Sequence, residues 1–176
     1  MYRTVCTVLW EVPRSNNGRG PTRLETMMIT LDRKPKRLTS SFYKDFSGCT
    51  EILLKGDRPY CIALVVVDGI KFAIPFRTNI SHKYCYIFHL SDRSQISGLD
   101  FSKSVVITKE SYIGTDATIN SNEYKEFINK QAVIANRFEN FLQDYKKWCS
   151  NPSYYRAEQT LKYCSLQYFH KELGLL

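Results

Sequence analysis

Arg77-Thr78-Asn79-Ile80-Ser81-His82-Lys83 sets a guanidinium, two hydroxyls, an amide, an imidazole and an ammonium in one polar run of seven residues. A guanidinium is a planar fork of donors that fits phosphate oxygens. An imidazole titrates near pH ~6.5, so it can take up or release a proton near neutrality. A hydroxyl can donate to a non-bridging oxygen. These types together bind a phosphate and move protons beside it without needing a metal. His82 is the acid–base candidate, Arg77 the phosphate fork, Thr78 the hydroxyl donor and Ser81 a weaker second hydroxyl. Against these stand plainer readings: a surface ion pair for Arg77, a turn-stabilising hydroxyl for Thr78, a structural histidine at 82.

The run needs elements to hold it. Tyr60 to Val67 is a nearly all-apolar β-rich stretch and reads as a central strand. Asp68-Gly69 fits a two-residue hairpin turn, where positive φ is required. Ile70 to Phe76 pairs back, and Pro75, which lacks a backbone donor, predicts that this strand ends there or lies at an edge. Tyr84 to His89 and Ser104 to Thr108 read as further strands, and Cys49 to Leu54 as another. Thr39 to Phe46 predicts a short helix capped by Thr39 or Ser40. Asn120, with Glu123 three residues on, predicts a capped helix start. Phe127, Ile134, Phe138, Phe141, Tyr145 and Trp148 then form one apolar face over about seven turns. Asn151-Pro152 reads as the start of a last helix. Strands first and helices last predict an α+β fold, with the helices on one face of an antiparallel sheet.

Outside the run, Lys103 is a candidate phosphate ligand, and Lys71, Lys83 and Arg58 are candidate RNA contacts. Asp57-Arg58-Pro59-Tyr60 also reads as plain turn chemistry. His89, alternating in an apolar strand, and His170, near a helix end where a cation is favourable anyway, read as structural.

Bulk composition bounds the partners. The chain has 176 residues, a net charge of +8 and 14% aromatic residues, enough for a single domain with a real core. Such charge favours polyanions, because Lys and Arg replace the counterions around phosphates. The six cysteines, Cys6, Cys49, Cys61, Cys85, Cys149 and Cys164, include no C-x-x-C pair. They read as small buried hydrophobes in a reducing compartment. Zinc spacing, carboxylate clusters in the relevant blocks, Gly-rich phosphate loops and G-x-S-x-G are all missing, so neither a metal nor a cofactor is implied. Without a membrane-length apolar run or signal-peptide pattern, the expected location is the cytoplasm. Residues 1–26, with the loop-like Val12–Thr22 run, read as a weakly ordered extension or a misplaced start before Met27 or Met28. Within them Thr4 to Trp10 reads as a short strand. Residues 27–176 form the domain.

Three blocks carry a resemblance. Asp68-Gly-Ile-Lys-Phe-Ala-Ile-Pro-Phe-Arg-Thr-Asn-Ile-Ser-His82 resembles the active-site block of the type III toxin–antitoxin endoribonucleases. It is closest to the Pro-Leu-Arg-Ser-x-x-x-His form of the TenpN group, and more distantly similar to ToxN and AbiQ. Gly98-Leu-Asp-Phe-Ser-Lys-Ser-Val-Val-Ile107 resembles a Gly-x-(Ile/Leu)-(Asp/Asn)-Phe block of those toxins. Tyr124-Lys-Glu-Phe-Ile-Asn-Lys-Gln131, continuing through Leu142 and Tyr145, is similar to their long C-terminal helix. The likeness spans roughly Leu38 to Leu173. The Thr-Ser pair that ToxN carries after its proline is Arg77-Thr78 here, and the following Lys is absent. Thr78 then takes the hydroxyl role and His82, at the TenpN-like position, the acid–base role.

The resemblance implies a compact twisted β-core akin to the MazF and Kid toxins. It implies a phage-defence endoribonuclease that cuts single-stranded cellular or phage mRNA by 2′-OH attack. The products would be a 2′,3′-cyclic phosphate and a 5′-hydroxyl. A small structured repeat RNA would hold it inactive, bridging several copies of the protein. The competing readings are a nonenzymatic RNA- or DNA-binding module and a basic structural protein.

Overall fold

An apolar ribbon organises the molecule. In the computed structural model, which describes residues 6–8, 29–52, 61–151, 153 and 157–175, strands β4 (Cys61–Val67) and β5 (Ile70–Thr78) form a hairpin in register from Val67↔Ile70 to Ile62↔Pro75. Asp68 (φ 50°) and Gly69 (φ 77°) both lie in the left-handed region. That geometry follows the right-handed twist of the flanking strands. β4 pairs antiparallel on its other edge with β2 (Ile29–Leu31), which in turn pairs with β1 (Cys6–Val8). β1 thus places a strand within Thr4–Trp10; the rest of residues 1–26, and Met27 and Met28, lie outside the described residues. The end of β4 also carries β3 (Lys36–Leu38), which continues to β9 (Ile113–Asp116).

β5 changes partners along its length, and this creates the site. Residues 72–73 pair with β8 (Val105–Val106), and residues 76–78 with β7 (Ser97–Asp100), whose far edge holds β6 (Cys85–Ile87). The strand neither stops at Pro75 nor lies at an edge, as its sequence predicts. The proline is the last residue of the ladder with β4, and the ladder with β7 begins at the next residue. The missing donor falls where the ribbon hands over from one neighbour to another. The fold is α+β, and every strand pairing among the described residues is antiparallel. The path β1-β2-β4-β5-β7-β6 is open, with β1 and β6 as its two ends.

Alternation along β5 divides the core. Phe72 and Phe76 face the helices α2 (Ser121–Asn129) and α3 (Gln131–Ser150). Their ring centroids lie 5.2 Å from Phe138 and 5.6 Å from Phe127. Ala73 and Pro75 face the other way, lining a cavity of about 20 Å³ with Leu38, Ile62 and Phe42. Phe42 belongs to α1 (Ser40–Asp45) and is fully buried. Helices therefore cover both faces of the ribbon, not one. A strand apolar on both sides must be shielded on both. Burying each such ring contributes about 1.5–3 kcal/mol.

Three further expectations need correction. Cys49–Ile52 forms a turn rather than a strand. The long apolar stripe is two helices broken at Lys130. The last helix, α4 (Ala157–Tyr163), begins well after Pro152 among the described residues. Asn120 does cap α2, its Oδ1 accepting from the backbone N–H groups of Asn122 and Glu123. The Glu123 side chain does not reach back to it. It is buried and accepts from Ser91 Oγ (2.8 Å), Arg93 Nε (2.8 Å) and Ser97 Oγ (2.6 Å). With Glu126, which accepts from Tyr86 Oη and Leu90 N, it ties the β6–β7 connection to α2.

Candidate active site

The polar run leaves the end of β5 through Asn79, whose φ of 59° turns the chain out of the strand. Asn tolerates this left-handed conformation better than most residues. Its backbone N–H donates to Ile96 O (2.8 Å), and Ile80 is buried, so the loop is pinned at its start. The loop returns at His82, whose backbone carbonyl accepts from Cys85 Sγ (3.0 Å) at the start of β6.

At the centre lies Asp100, the last residue of β7, with no exposed surface. Arg77 is opposite Gly98, so Asp100 is its diagonal neighbour on the same side of the ladder. Such diagonals are within reach of a long side chain, and Gly98 presents none of its own. Arg77 Nη1 donates to Asp100 Oδ2. His82 Nε2 lies 3.3 Å from the same oxygen. The other oxygen, Oδ1, accepts from Ser102 N (3.0 Å) and Ser102 Oγ (2.7 Å), capping the 3-10 turn Phe101–Lys103. Burial by itself would push this carboxyl up. The bonds from His82 and Ser102, the His82 charge and the Arg77 bond outweigh it and hold the carboxyl below the usual carboxylate range.

That 3-10 turn carries Lys103 to the same place. Its Nζ donates to Tyr163 O (2.7 Å) at the end of α4. Burial lowers the Lys103 pKa, an effect that the Asp100 charge opposes. Buried Ser165 locks the turn from behind, with Oγ donating to Ser104 O (2.6 Å). On the far side of His82 stands Tyr84. Its ring is 6.3 Å from the imidazole and packs on Trp148 (5.3 Å), with Lys83 Nζ 5.3 Å from its centroid.

The fold therefore brings Arg77, His82 and Lys103 around one buried carboxylate, with exposed Lys83 next to His82 beside the Tyr84 ring. Thr78 and Ser81 are exposed beside them, Thr78 opposite Ser97 in the ladder. Lys71 is at the other end of β5, about 20 Å from Arg77 at strand spacing, and pairs with Glu110. Arg58 lies outside the described residues. His170 meets Tyr145 Oη (2.8 Å), away from this cluster, and His89 is exposed. Among the described residues, no three His, Cys, Asp or Glu side chains converge as a metal site would require. No helix among them is long and apolar enough to cross a membrane. Sequence reasoning passed over Asp100 as a site residue, although it lies in the Gly98-Leu-Asp-Phe block; an acidic residue at a strand end gives no hint that a guanidinium and an imidazole will close on it.

The geometry resembles a carboxylate–imidazole pair in which the carboxylate binds one ring nitrogen and leaves the other to exchange protons. Here the second nitrogen, His82 Nδ1, is buried and has no hydrogen-bond partner among the described residues. Buried polar atoms are paired in the great majority of cases, so this one calls for a reason. No known protein family, curated protein or solved structure matches the chain.

Proposed function

We propose that the protein is an endoribonuclease toxin of a type III toxin–antitoxin system, cutting single-stranded cellular or phage mRNA at the Arg77–His82–Asp100 site. The observation that carries this reading is the buried Asp100, which holds a guanidinium and an imidazole together on one carboxylate. Asp100 orients the His82 ring through Nε2, so Nδ1 is the nitrogen that takes the ribose 2′-OH proton. Nδ1 is buried, so the Ser81–Lys83 loop shifts to admit the substrate hydroxyl, which then gives that atom its missing partner. The 2′-oxygen then attacks the adjacent phosphorus and the bond to the 5′-oxygen breaks. A 2′,3′-cyclic phosphate and a 5′-hydroxyl result.

Arg77 spends one N–H on Asp100, and the rest of its fork faces the phosphorane charge. Lys103 adds a second cation, and its ammonium, made more acidic by burial, is our choice for protonating the leaving 5′-oxygen. Thr78 and Ser81 supply hydroxyl donors, and Lys83 a further phosphate contact. The kinship of the β-core with the MazF and Kid toxins belongs to the same proposal. Its support is that β5 changes partners along its length; the described sheet itself is open. The inhibitor in this reading is a small structured RNA that covers Arg77 and His82 through its phosphates and bridges copies of the protein.

The test is incubation of the purified protein with end-labelled single-stranded RNA in excess EDTA. Fragments ending in 2′,3′-cyclic phosphate, lost in His82→Ala, support the reading, and intact RNA overturns it. The burial of Nδ1 also favours a second reading, a nonenzymatic RNA- or DNA-binding module. Binding without cleavage by the wild-type chain would establish that reading instead.

A further inference from the structure

Two tyrosines flank the buried carboxylate, each beside a lysine. Tyr84 adjoins His82, with the Lys83 ammonium 5.3 Å from its ring centroid. Tyr163 ends α4 and is 54% exposed, whereas most of the aromatics among the described residues are buried. Lys162 Nζ lies 5.7 Å from the Tyr163 centroid. Lys103 joins this second pair to the centre, because its Nζ donates to the backbone carbonyl of Tyr163. From Asp100 to Tyr163 the connection is one 3-10 turn and one lysine side chain. A second tie joins α4 directly to the first tyrosine, with Thr160 Oγ1 3.5 Å from Tyr84 Oη. The aromatic–cation pairs Lys162–Tyr163 and Lys83–Tyr84 thus both adjoin the cluster of Arg77, His82 and Lys103.

Alternating rings and cations suit single strands. Base faces stack on aromatic rings whatever their sequence, while ammonium groups follow the phosphates. A duplex hides its base faces and offers phosphates alone. We infer that Tyr163 and Lys162 of α4 form a base-stacking subsite beside the Arg77–His82–Asp100 centre, which holds a single-stranded RNA with a nucleotide flanking the bound phosphate stacked on the Tyr163 ring. This subsite rests on the proposed function for its substrate class, and it deepens that reading by naming α4 as the wall that grips the strand. Tyr84, packed on Trp148 and tied to α4 through Thr160, forms the fixed platform next to it. Tyr163, about half exposed, with its carbonyl held by Lys103 and the Lys162 ammonium by its ring, is the side chain that a base must order.

The experiment uses the full chain and a fluorescent 2′-O-methyl oligoribonucleotide of mixed sequence, which lacks the attacking hydroxyl and so reports binding alone. Tyr163→Ala should bind this single strand about 5- to 100-fold more weakly, and Tyr163→Phe should bind like wild type. Lys162→Ala should lower the salt dependence of binding by about one phosphate contact. A duplex of the same length should bind Tyr163→Ala and wild type equally. On the unmodified oligonucleotide, Tyr163→Ala should raise KM and leave kcat nearly unchanged. Equal single-strand affinity of Tyr163→Ala and wild type overturns the subsite, whether or not the RNA is cut. Weakened binding by Tyr163→Ala with no cleavage by wild type upholds the subsite and overturns the nuclease reading.

Discussion

Arg77 and Asp100 sit on neighbouring strands, two residues out of direct register, and the guanidinium spans that diagonal to a carboxylate with no exposed surface. Everything else at the site hangs from this pair. Asp100 also receives His82 and starts the turn that delivers Lys103.

Removing Asp100 should therefore cost stability as well as function. Asp100→Ala leaves Arg77 without its partner and the 3-10 turn without its cap. Breaking a buried pair costs about 3–5 kcal/mol, and the partial exposure of Arg77 puts this one at the low end, near ~3 kcal/mol. Urea unfolding measures it. A loss below about 0.5 kcal/mol would mean that the pair contributes nothing to the fold.

His82 and Arg77 should behave differently from Asp100. His82→Ala leaves the Arg77–Asp100 bond and the Ser102 cap in place, so the melting temperature should fall much less than in Asp100→Ala while cleavage falls by about 10²–10⁴-fold. Arg77→Lys retains a positive charge but not the fork, which must reach Asp100 and the phosphate together, so cleavage should also fall. A fully active Lys variant would reduce Arg77 to its charge.

Acid should unfold the protein partly through these carboxylates. Asp100 and Glu126 both have folded pKa values below the ordinary range, despite burial that acts in the other direction. For Glu126 the opposing bonds come from Leu90 N, His89 N and Tyr86 Oη. Groups depressed on folding add stability that is present above their unfolded values, about 3.9 for Asp and 4.3 for Glu, and lose it as pH falls through the folded values. The urea midpoint should hold between pH 7 and pH 5 and drop below pH 4, less steeply in Asp100→Asn. A flat profile down to pH 3 would contradict this.

Gly98 should be irreplaceable. A Cβ there would stand 2.1 Å from Tyr86 O on β6, a main-chain atom that cannot rotate away. Gly98→Ala should cost about 3 kcal/mol or more, at the top of the range for overpacking, and should loosen Arg77, which lies directly across. Thermal unfolding measures this, and a variant as stable as wild type would show that β6 and β7 can part without loss.

How much of this was legible in the chain depends on the range of the interaction. The Asp68-Gly69 hairpin, the Asn120 cap and the apolar face of α3 are set by neighbours a few residues apart, and local residue types carry that information. Arg77 and His82 could be picked as site residues because they are five positions apart in one polar run. What only the tertiary structure decided spans longer distances. Pro75 reads as a strand end, yet β5 continues because Ser97–Asp100 arrives from twenty residues downstream to pair with it. Glu123 reads as half of a capping box, yet Ser91, Arg93 and Ser97 claim it. Asp100 reads as an ordinary acid, and Lys71 as an RNA contact, yet Lys71 lies at the far end of β5 from Arg77 and pairs with Glu110. A strand extends too far for its two ends to meet, whereas a diagonal across two strands brings distant residues into hydrogen-bond contact. The sequence alone determined which side chains have chemistry to offer; register between strands decided which of them meet at Asp100.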